Sequence, residues 1–370
     1  MATVMIALVS EQRMQNIIPV FQEGLGFARV YLVRSVDADQ PESSLGRALA
    51  DTMEALRACG VAAENAEPSV DAYAVEATRR LVLELINRSS PPAPVVNFTG
   101  GTKCMSIGAF LAAWDAGVAA LYVDTANERL IWFHPDGTAR EEPFVLGGRL
   151  GVEVYLRSYG RPVDESRTRK HALPTEAFDL ADELLAWWPG CLPTLEKLGD
   201  AQSQGRPHVA ASELDPEIVS LLASYGFVAA GSNVAITPRG RPVLNKGKWL
   251  EAMACVLLRK SGYFDEVKAN VCLRGVQNEL DVVVARNGMV AVLECKGGSL
   301  GGAGTLDRLQ SIRSTLGTFV RSFLVTSRVG GEVPADFRER AGLYGIRRIV
   351  TAEDFLQVAD IVREGMRGGP

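Results

Sequence analysis

The chain has 370 residues, enough for two or three domains, and its 47% hydrophobic and 22% charged residues exclude a disordered or low-complexity protein. The formal net charge is −5, yet basic residues outnumber acidic ones only in residues 246–370. A polyanionic substrate is therefore expected to dock on this last part, although chance variation among surface charges would give the same asymmetry.

The features that report on compartment favour a cytoplasmic protein. The first ten residues lack the basic residues and the cleavage site of a secretory signal, and they are typical of a buried strand. The longest apolar span, Met105–Val123, is interrupted by Asp115 and Gly117, so no membrane helix is expected. Six scattered cysteines without a C-x-x-C pair indicate reduced thiols and no structural zinc site.

Residues 1–160 alternate between strand and helix patterns, which predicts a doubly wound, Rossmann-like α/β domain. The predicted strands are Val4–Val9, Ala28–Val33, Pro94–Phe98 and Ala119–Val123, and the predicted helices are Leu45–Ala58 and Tyr73–Ile86. Arg129–Phe133, followed by a His-Pro-Asp-Gly turn, predicts a hairpin at the end of this part.

Residues 161–245 have a different pattern and are expected to form a linker and a winged-helix-like segment. Residues 158–175 are polar and predict a loop, and Glu176–Trp188 has helical spacing. Pro216–Ser224, followed by residues 226–237, predicts a helix that leads into a two-stranded wing. Winged helices often read DNA, but this one lacks a basic recognition helix, so a spacer or dimerisation role is at least as plausible.

Residues 246–370 predict a small mixed sheet flanked by helices. Gly247–Lys260 is a predicted helix, and two strands, Glu279–Ala285 and Met289–Cys295, are joined by an Asn-Gly dipeptide that favours a tight hairpin turn. A second helix, Leu306–Leu316, precedes a strand at Ser322–Thr326.

The predicted hairpin carries a set of charged residues with the chemistry of a metal-dependent phosphodiesterase. Glu294 and Lys296 leave the same face of one strand, and pairing with the other strand can bring Asp281 beside Glu294. Carboxylates this close repel unless a hard divalent cation such as Mg²⁺ or Mn²⁺ lies between them. Lys296 can position the attacking water or stabilise the phosphate, and Glu251 on the preceding helix can complete the metal shell.

The alternative is that Glu294 and Lys296 form an exposed ion pair on an edge strand, which would contribute little. The residues before them, 289–293, are almost wholly apolar, which favours a central strand whose terminal charges need a partner. This segment resembles the PD-(D/E)xK nuclease superfamily, with Leu280 where the family usually has proline. The resemblance implies a restriction-endonuclease-like fold and an assisting role for Gln310, which could equally be an exposed helix residue.

A glycine-containing loop between a strand and a helix in the first part has the chemistry of a phosphate cradle. The candidate ligand contacts are Asn97, Thr99, Gly100, Gly101, Thr102, Lys103 and Met105. The loop has neither Walker nor dinucleotide-binding spacing, and it could instead be a tight turn that needs glycine for its backbone angles. Ser10, Glu11 and Gln12 follow the first strand and should emerge at the same sheet edge, unless they only cap the next helix.

This loop, together with the segments Leu8–Gln12 and Gln15–Pro19, resembles the CARF domains, the CRISPR-associated Rossmann-like sensors of cyclic oligoadenylates. The order of sensor, middle segment and nuclease over nearly the whole chain resembles the ancillary nucleases of type III CRISPR systems. The resemblance implies a homodimer that binds cyclic tetra-adenylate on its two-fold axis. Ligand closure would then reorganise the nuclease pair.

Three functional hypotheses follow from these patterns. The first is an endonuclease that requires Mn²⁺ or Mg²⁺, is activated by cyclic tetra-adenylate, and cleaves single-stranded DNA or RNA or nicks duplex DNA. The second is a ligand-sensing, DNA-binding transcriptional regulator that uses the winged helix, but such a protein would not need the acidic set. The third is a mononucleotide sensor coupled to a repair or restriction nuclease.

Overall fold

Three sheets organise the chain. The computed structural model describes residues 3–89, 93–147, 150–206, 208–245, 247–277, 279–298, 300, 303–317 and 320–367. Within those ranges the sheets have seven, three and five strands, in that order along the chain. The predicted fold class, a Rossmann-like domain, a winged-helix-like segment and a C-terminal α/β domain, is confirmed.

The first sheet has the strand order β3-β2-β1-β4-β5-β6-β7, and its first five strands are parallel. Its strands are β1 (Thr3–Leu8), β2 (Phe27–Val33), β3 (Ala62–Asn65), β4 (Val95–Asn97), β5 (Ala120–Asp124), β6 (Arg129–Phe133) and β7 (Ala139–Pro143). The chain direction across the sheet reverses between β1 and β4, and such a switch point leaves a crevice at the carboxyl ends of the strands. The two loops predicted to bind ligand follow these two strands.

Helices cover both faces of this sheet. They are α1 (Met14–Phe21), α2 (Ser44–Ala58), α3 (Val75–Arg88), α4 (Lys103–Asp115) and α5 (Val152–Ser158). The helix α4 starts directly after the predicted phosphate loop, and the Thr102 hydroxyl caps it by accepting from the backbone N–H of Met105 at 3.2 Å. The loop geometry is therefore fixed by the first turn of α4.

The middle segment is mostly helical and carries a small antiparallel sheet of order β8-β10-β9. Its elements are α6 (Glu165–His171), α7 (Thr175–Leu185), α8 (Leu192–Ser203), β8 (His208–Ala210), α9 (Pro216–Ser224), β9 (Val228–Ala229), β10 (Asn233–Ile236) and α10 (Arg241–Leu244). The loop predicted for residues 158–175 is wrong, since α6 lies within it. The helix has no buried residue, and so it leaves no apolar periodicity to detect.

The third sheet has the order β11-β12-β13-β14-β15, with β13 at its centre. Its elements are α11 (Lys248–Lys260), β11 (Glu266–Cys272), β12 (Glu279–Arg286), β13 (Met289–Lys296), α12 (Ala303–Leu316), β14 (Val320–Thr326), α13 (Ala335–Leu343), β15 (Ile346–Val350) and α14 (Val358–Arg367). Asn287 and Gly288 both have positive φ, which confirms the predicted tight hairpin between β12 and β13.

The third sheet is buried on both faces, which explains its nearly continuous apolar strands. On β12, Val282 and Val284 pack in the core that contains α11 and α14. Val283 and Ala285 point the other way, into a core shared with the first sheet and with Tyr155 of α5. The sensor-like and nuclease-like parts are therefore joined by a common hydrophobic core. In the part of the chain described, no helix is long and apolar enough to cross a membrane.

Candidate nuclease centre and ligand pocket

The β12–β13 hairpin brings the two predicted catalytic carboxylates together. Val282 pairs with Leu293, so Asp281 and Glu294 lie one step further along, at the mouth of the hairpin. Both are buried, with 6% and 1% of their surface exposed. The backbone N–H of Cys295 donates to Asp281 Oδ2 at 2.8 Å, which fixes the orientation of that carboxylate. The hairpin spacing thus predicts the geometry of this pair correctly.

Two further carboxylates enter the same cluster. Oxygen atoms of Glu251 on α11, Glu279 and Asp281 all lie within 4.8 Å of one another, and Glu251 is 4% exposed. Glu251 therefore lies where the sequence placed it, whereas Glu279 was given no role. Glu279 could have been found from its E-x-D spacing to Asp281, because side chains two residues apart on a strand leave the same face.

Four cationic or amide groups hold the carboxylates in place. Lys296 Nζ lies 2.6 Å from Glu294 Oε1, and an Arg308 guanidinium nitrogen on α12 lies 2.9 Å from the same oxygen. Lys248 lies 3.0 Å from Glu251 Oε2, and the Asn270 amide donates to that oxygen at 2.6 Å. These contacts use one oxygen of Glu294, while its buried Oε2 has no hydrogen-bond partner among the described residues.

The sequence also gave no indication of a histidine at this centre. His171, at the end of α6, has Nδ1 3.0 Å from Glu279 Oε2. It reaches the cluster from the middle segment, more than a hundred residues before Glu279 along the chain. No local spacing relates the two residues, so only the folded chain could reveal their contact.

Burial and mutual repulsion make this cluster electrostatically costly in the absence of a cation. Burial first, and then the Asp281 carboxylate, raise the pKa of Glu251 to about 8. Burial and the Glu294 carboxylate raise the pKa of Asp281 to about 6. Carboxylate oxygens of Glu251, Glu279 and Asp281 lie within 4.8 Å of one another, and Glu294 Oε2 has no hydrogen-bond partner among the described residues. The oxygen donors of this cluster therefore fit a hard divalent cation of the Mg²⁺ or Mn²⁺ type.

Gln310 does not lie in this cluster, and the catalytic role expected for it is not supported. The residue of α12 that reaches the carboxylates is Arg308, which also donates to the backbone oxygen of Glu279. Successive helix residues advance by about 100°, so Gln310 lies about 200° away from Arg308 around the helix. It is exposed and lines the ligand pocket described next.

A cavity of about 860 Å³ opens at the switch point of the first sheet. Of the predicted ligand residues, those that line it are Ser10, Glu11, Gln12, Gly101, Thr102 and Met105. Arg13 and Arg47 add positive charge from the sensor-like part, and Arg313 adds it from α12. Glu11 is the one carboxylate among the described lining residues, so the cavity favours an anion even though the whole chain is acidic.

The remaining predicted ligand residues shape the loop instead of lining the cavity. Asn97 is fully buried, and its side chain donates to the Gln15 carbonyl and accepts from Thr99. Gly100 is packed against β1, where an added Cβ would lie 2.4 Å from the Leu8 carbonyl oxygen. Lys103 is exposed on the first turn of α4, outside the cavity lining. Glycine is therefore needed at 100 because a side chain would collide with the backbone of β1.

Comparison with known proteins identifies both parts of the chain. The Card1 CARF domain family matches residues 4–146, and the Card1-like endonuclease domain family matches residues 239–367. No curated protein sequence matches the chain.

Several solved structures share the fold. Protein VC1899 from Vibrio cholerae has a TM-score of 0.75 at 17% identity, with 100% of this chain and 99% of that chain covered. Can2 from Sulfobacillus thermosulfidooxidans, in complex with cyclic tetra-adenylate, has a TM-score of 0.71 at 22% identity, with 98% and 99% covered. A type III CRISPR defence DNA nuclease activated by cyclic oligoadenylate has a TM-score of 0.57 at 21% identity, with 89% of this chain and 46% of that chain covered.

The two family matches follow one another in the order predicted from the motifs and together span most of the chain. They confirm a nuclease and not a transcriptional regulator. The carboxylate cluster lies within the residues of the endonuclease match, and most of the cavity lining lies within those of the CARF match. The chain therefore belongs to the Card1-like CARF-domain nucleases, with a CARF sensor followed by an endonuclease domain.

Proposed function

We propose that this protein is a metal-dependent endonuclease of type III CRISPR defence, activated by cyclic tetra-adenylate, that cleaves single-stranded DNA or RNA or nicks duplex DNA. The main support is the group of buried carboxylates, in which Asp281 lies near both Glu251 and Glu294, and Glu294 contacts Lys296. The same chain has a cationic cavity at the switch point of the first sheet. The relative Can2 was solved with cyclic tetra-adenylate, which supports this choice of ligand.

The chain's own residues supply positioning and charge for phosphodiester hydrolysis. Mn²⁺ or Mg²⁺ held by Glu251, Asp281 and Glu294 would polarise the phosphate and activate water. Lys296 lies beside Glu294 and can donate to the phosphate oxygens as negative charge develops. Asn270 and Lys248 orient Glu251, which keeps its carboxylate aimed at the shared centre. Hydrolysis of a phosphodiester requires no contact with a base, which agrees with broad substrate choice.

We assign residues 1–160 to the sensor, 161–245 to the linker and winged-helix-like segment, and 246–370 to the nuclease. The helix α5 ends at Ser158, and α11 starts at Lys248, so both boundaries fall between elements. A cytoplasmic location is in keeping with the six free cysteines.

The activation assay tests the proposal directly. Labelled single-stranded DNA and RNA are incubated with Mn²⁺, with and without cyclic tetra-adenylate. We expect ligand-dependent cleavage that is stimulated about 5- to 150-fold, the usual range of allosteric coupling. Cleavage at the same rate without the ligand would contradict the proposal. Equal stimulation by ATP would instead favour a mononucleotide sensor.

We also propose that the protein is a homodimer joined through the outer face of α4. Ile107, Leu111 and Trp114 form an apolar stripe on this helix and are 52%, 39% and 50% exposed. The stripe starts one turn beyond the phosphate loop, so a two-fold contact through it would bring both copies of the loop toward one cyclic ligand. A second copy of the chain is the occupant that such symmetry requires.

Leu111→Glu should convert the dimer into a monomer, because it would bury an unpaired carboxylate in the proposed contact. Sedimentation equilibrium would measure the mass of the wild type and the variant. Leu356→Glu is the matched control, since Leu356 is also exposed, at 50%, but lies in the nuclease part. A monomeric wild type, or a variant that remains dimeric, would contradict this interface.

A further inference from the structure

The helix α12 has two functional faces. On one face Arg308 contacts Glu294 at 2.9 Å and lies 3.8 Å from Asp281. On the other face Gln310, Arg313 and Ser314 line the sensor cavity. Arg313 is five residues beyond Arg308, which places it about 140° around the helix. One rigid element therefore touches both the catalytic carboxylates and the cavity.

The last turn of α12 is attached to the sensor wall. The buried Tyr155 hydroxyl donates to the Leu316 carbonyl at 3.0 Å. Gly317 lies against Tyr159, so closely that an added Cβ would be 2.3 Å from the ring. The guanidinium of Arg13, itself a cavity residue, lies 4.8 Å from the centre of the same ring. The cavity wall and the last turn of α12 are thus in direct, tightly packed contact.

Arg313 is available to bind an anion. Within the described residues it has no carboxylate partner, unlike Arg13, which pairs with Asp51 at 2.9 Å. Its guanidinium lies directly over Gly345, where any Cβ would clash with it. The charge of Arg313, after burial and the charge of Arg347, helps to lower the pKa of the buried Arg321, so Arg313 has a like charge among its neighbours. A phosphate group bound to Arg313 would offset this repulsion.

We propose that Arg313 of the nuclease domain binds a phosphate of the cyclic ligand directly, and that α12 transmits this contact to the metal-binding carboxylates. The inference rests on the proposed function, since it assigns a further contact to the same ligand site. The sensor pocket is then completed by the nuclease domain of the same chain. Ligand binding changes the position of Arg308 relative to Glu294, and so changes the affinity of the cluster for the cation.

The inference can be tested without a cleavage assay, by measuring how binding of the cyclic ligand and binding of Mn²⁺ affect each other. If the ligand tightens Mn²⁺ binding by some factor, Mn²⁺ must tighten ligand binding by the same factor. Calorimetric titrations of each ligand, with and without saturating amounts of the other, measure both factors in the full-length protein. We expect a coupling factor of about 5 to 150 for the wild type. For Arg313→Ala we expect a factor near one and a ligand affinity that is about 10- to 100-fold weaker.

Arg348→Ala is the matched control, because Arg348 is an exposed arginine of the same domain, 3.9 Å from Asp354 and outside the cavity lining. It should retain wild-type affinity and coupling. Arg313→Lys keeps the charge and should recover part of the affinity, which guards against a folding defect in Arg313→Ala. Wild-type affinity and coupling in Arg313→Ala would overturn the inference while leaving the proposed function intact. Failure of the wild type to bind cyclic tetra-adenylate would overturn both.

Discussion

Replacing Glu294 by glutamine should lower ligand-activated cleavage by at least about 1,000-fold, while cyclic tetra-adenylate still binds with wild-type affinity. Glu294 is 1% exposed, and its Oε2 is a buried carboxylate oxygen without a hydrogen-bond partner among the described residues. The amide removes the negative charge that the cation needs. Losing about 4 kcal/mol of transition-state stabilisation corresponds to this change in rate. The rate is measured under single-turnover conditions with saturating ligand and Mn²⁺.

Glu364→Gln serves as the control, since Glu364 is an exposed carboxylate of α14 in the same domain. It should cleave at the wild-type rate. Thermal unfolding of both variants would show that the fold is retained. Wild-type cleavage by Glu294→Gln would remove Glu294 from the catalytic centre and, with it, the assignment of the hairpin as the active site.

The nuclease hairpin was predictable because its geometry depends on local spacing. An Asn-Gly turn fixes the register of two strands, and the register alone places Asp281 opposite Glu294. The apolar run before Glu294 predicted a central strand, and β13 lies at the centre of the sheet. Period-two alternation was absent because both faces of the sheet are buried, a pattern that the sequence shows as a continuous apolar run.

Residues from distant elements were not predictable in the same way. His171 and Asn270 reach Glu279 or Glu251 from α6 and β11, and neither has a spacing that points to the hairpin. The strand β11 itself was missed because four of its seven residues are only partly buried, which gives no clear hydrophobic pattern. The residue Asn270 has φ of 58°, a left-handed backbone that no sequence rule anticipated here.

Gln310 shows how a family position can mislead. The expectation for it came from the resemblance to other nucleases, and a helix after the E-x-K strand does approach the carboxylates. The residue that reaches them is Arg308, two positions earlier. A shift of two residues turns a side chain by about 200° around the helix, so the correct helix was identified but the wrong face. That other face proves to line the sensor cavity.

The ligand-binding edge of the first sheet was predicted from strand order alone, because parallel strands bring the loops that follow them to one side of the sheet. Ser10–Gln12 and Gly101–Thr102 indeed line one cavity. The part that could not be predicted is the wall contributed by α12, which depends on how the two domains pack. Tyr155 and Gly317 determine that packing through contacts more than 150 residues apart in the chain.

The affinity of the metal-free protein for Mn²⁺ should rise about tenfold for each pH unit between pH 6 and 8. Burial and then the Asp281 carboxylate raise the pKa of Glu251 to about 8, and Asp281 titrates at about 6. Between these values Glu251 holds a proton that the cation must displace, so one proton is released for each Mn²⁺ bound. Above pH 8 the carboxylate is already ionised, and the slope should level off.

The stability of the metal-free protein should also depend on pH, because folding raises the pKa of Glu251. The folded pKa of Glu251 lies above its ordinary value of 4.5, so the metal-free folded protein binds a proton that the unfolded chain has released. The contribution of Glu251 to the free energy of unfolding is therefore largest at low pH, and it falls as the pH rises from 4.5 toward 8. Bound Mn²⁺ replaces the proton and should raise the melting temperature more at pH 8 than at pH 6.

Calorimetric titration of Mn²⁺ without nucleic acid, in two buffers of different ionisation enthalpy, would count the protons released. Glu251→Gln removes the titrating group and should bind Mn²⁺ more weakly, with a flatter dependence on pH. Glu364→Gln should keep the wild-type slope, because Glu364 is exposed on α14 and is not part of the carboxylate cluster. An Mn²⁺ affinity that stays constant from pH 6 to 8 would mean that Glu251 is not protonated beside Asp281, and that the carboxylates are not crowded in the way their burial implies.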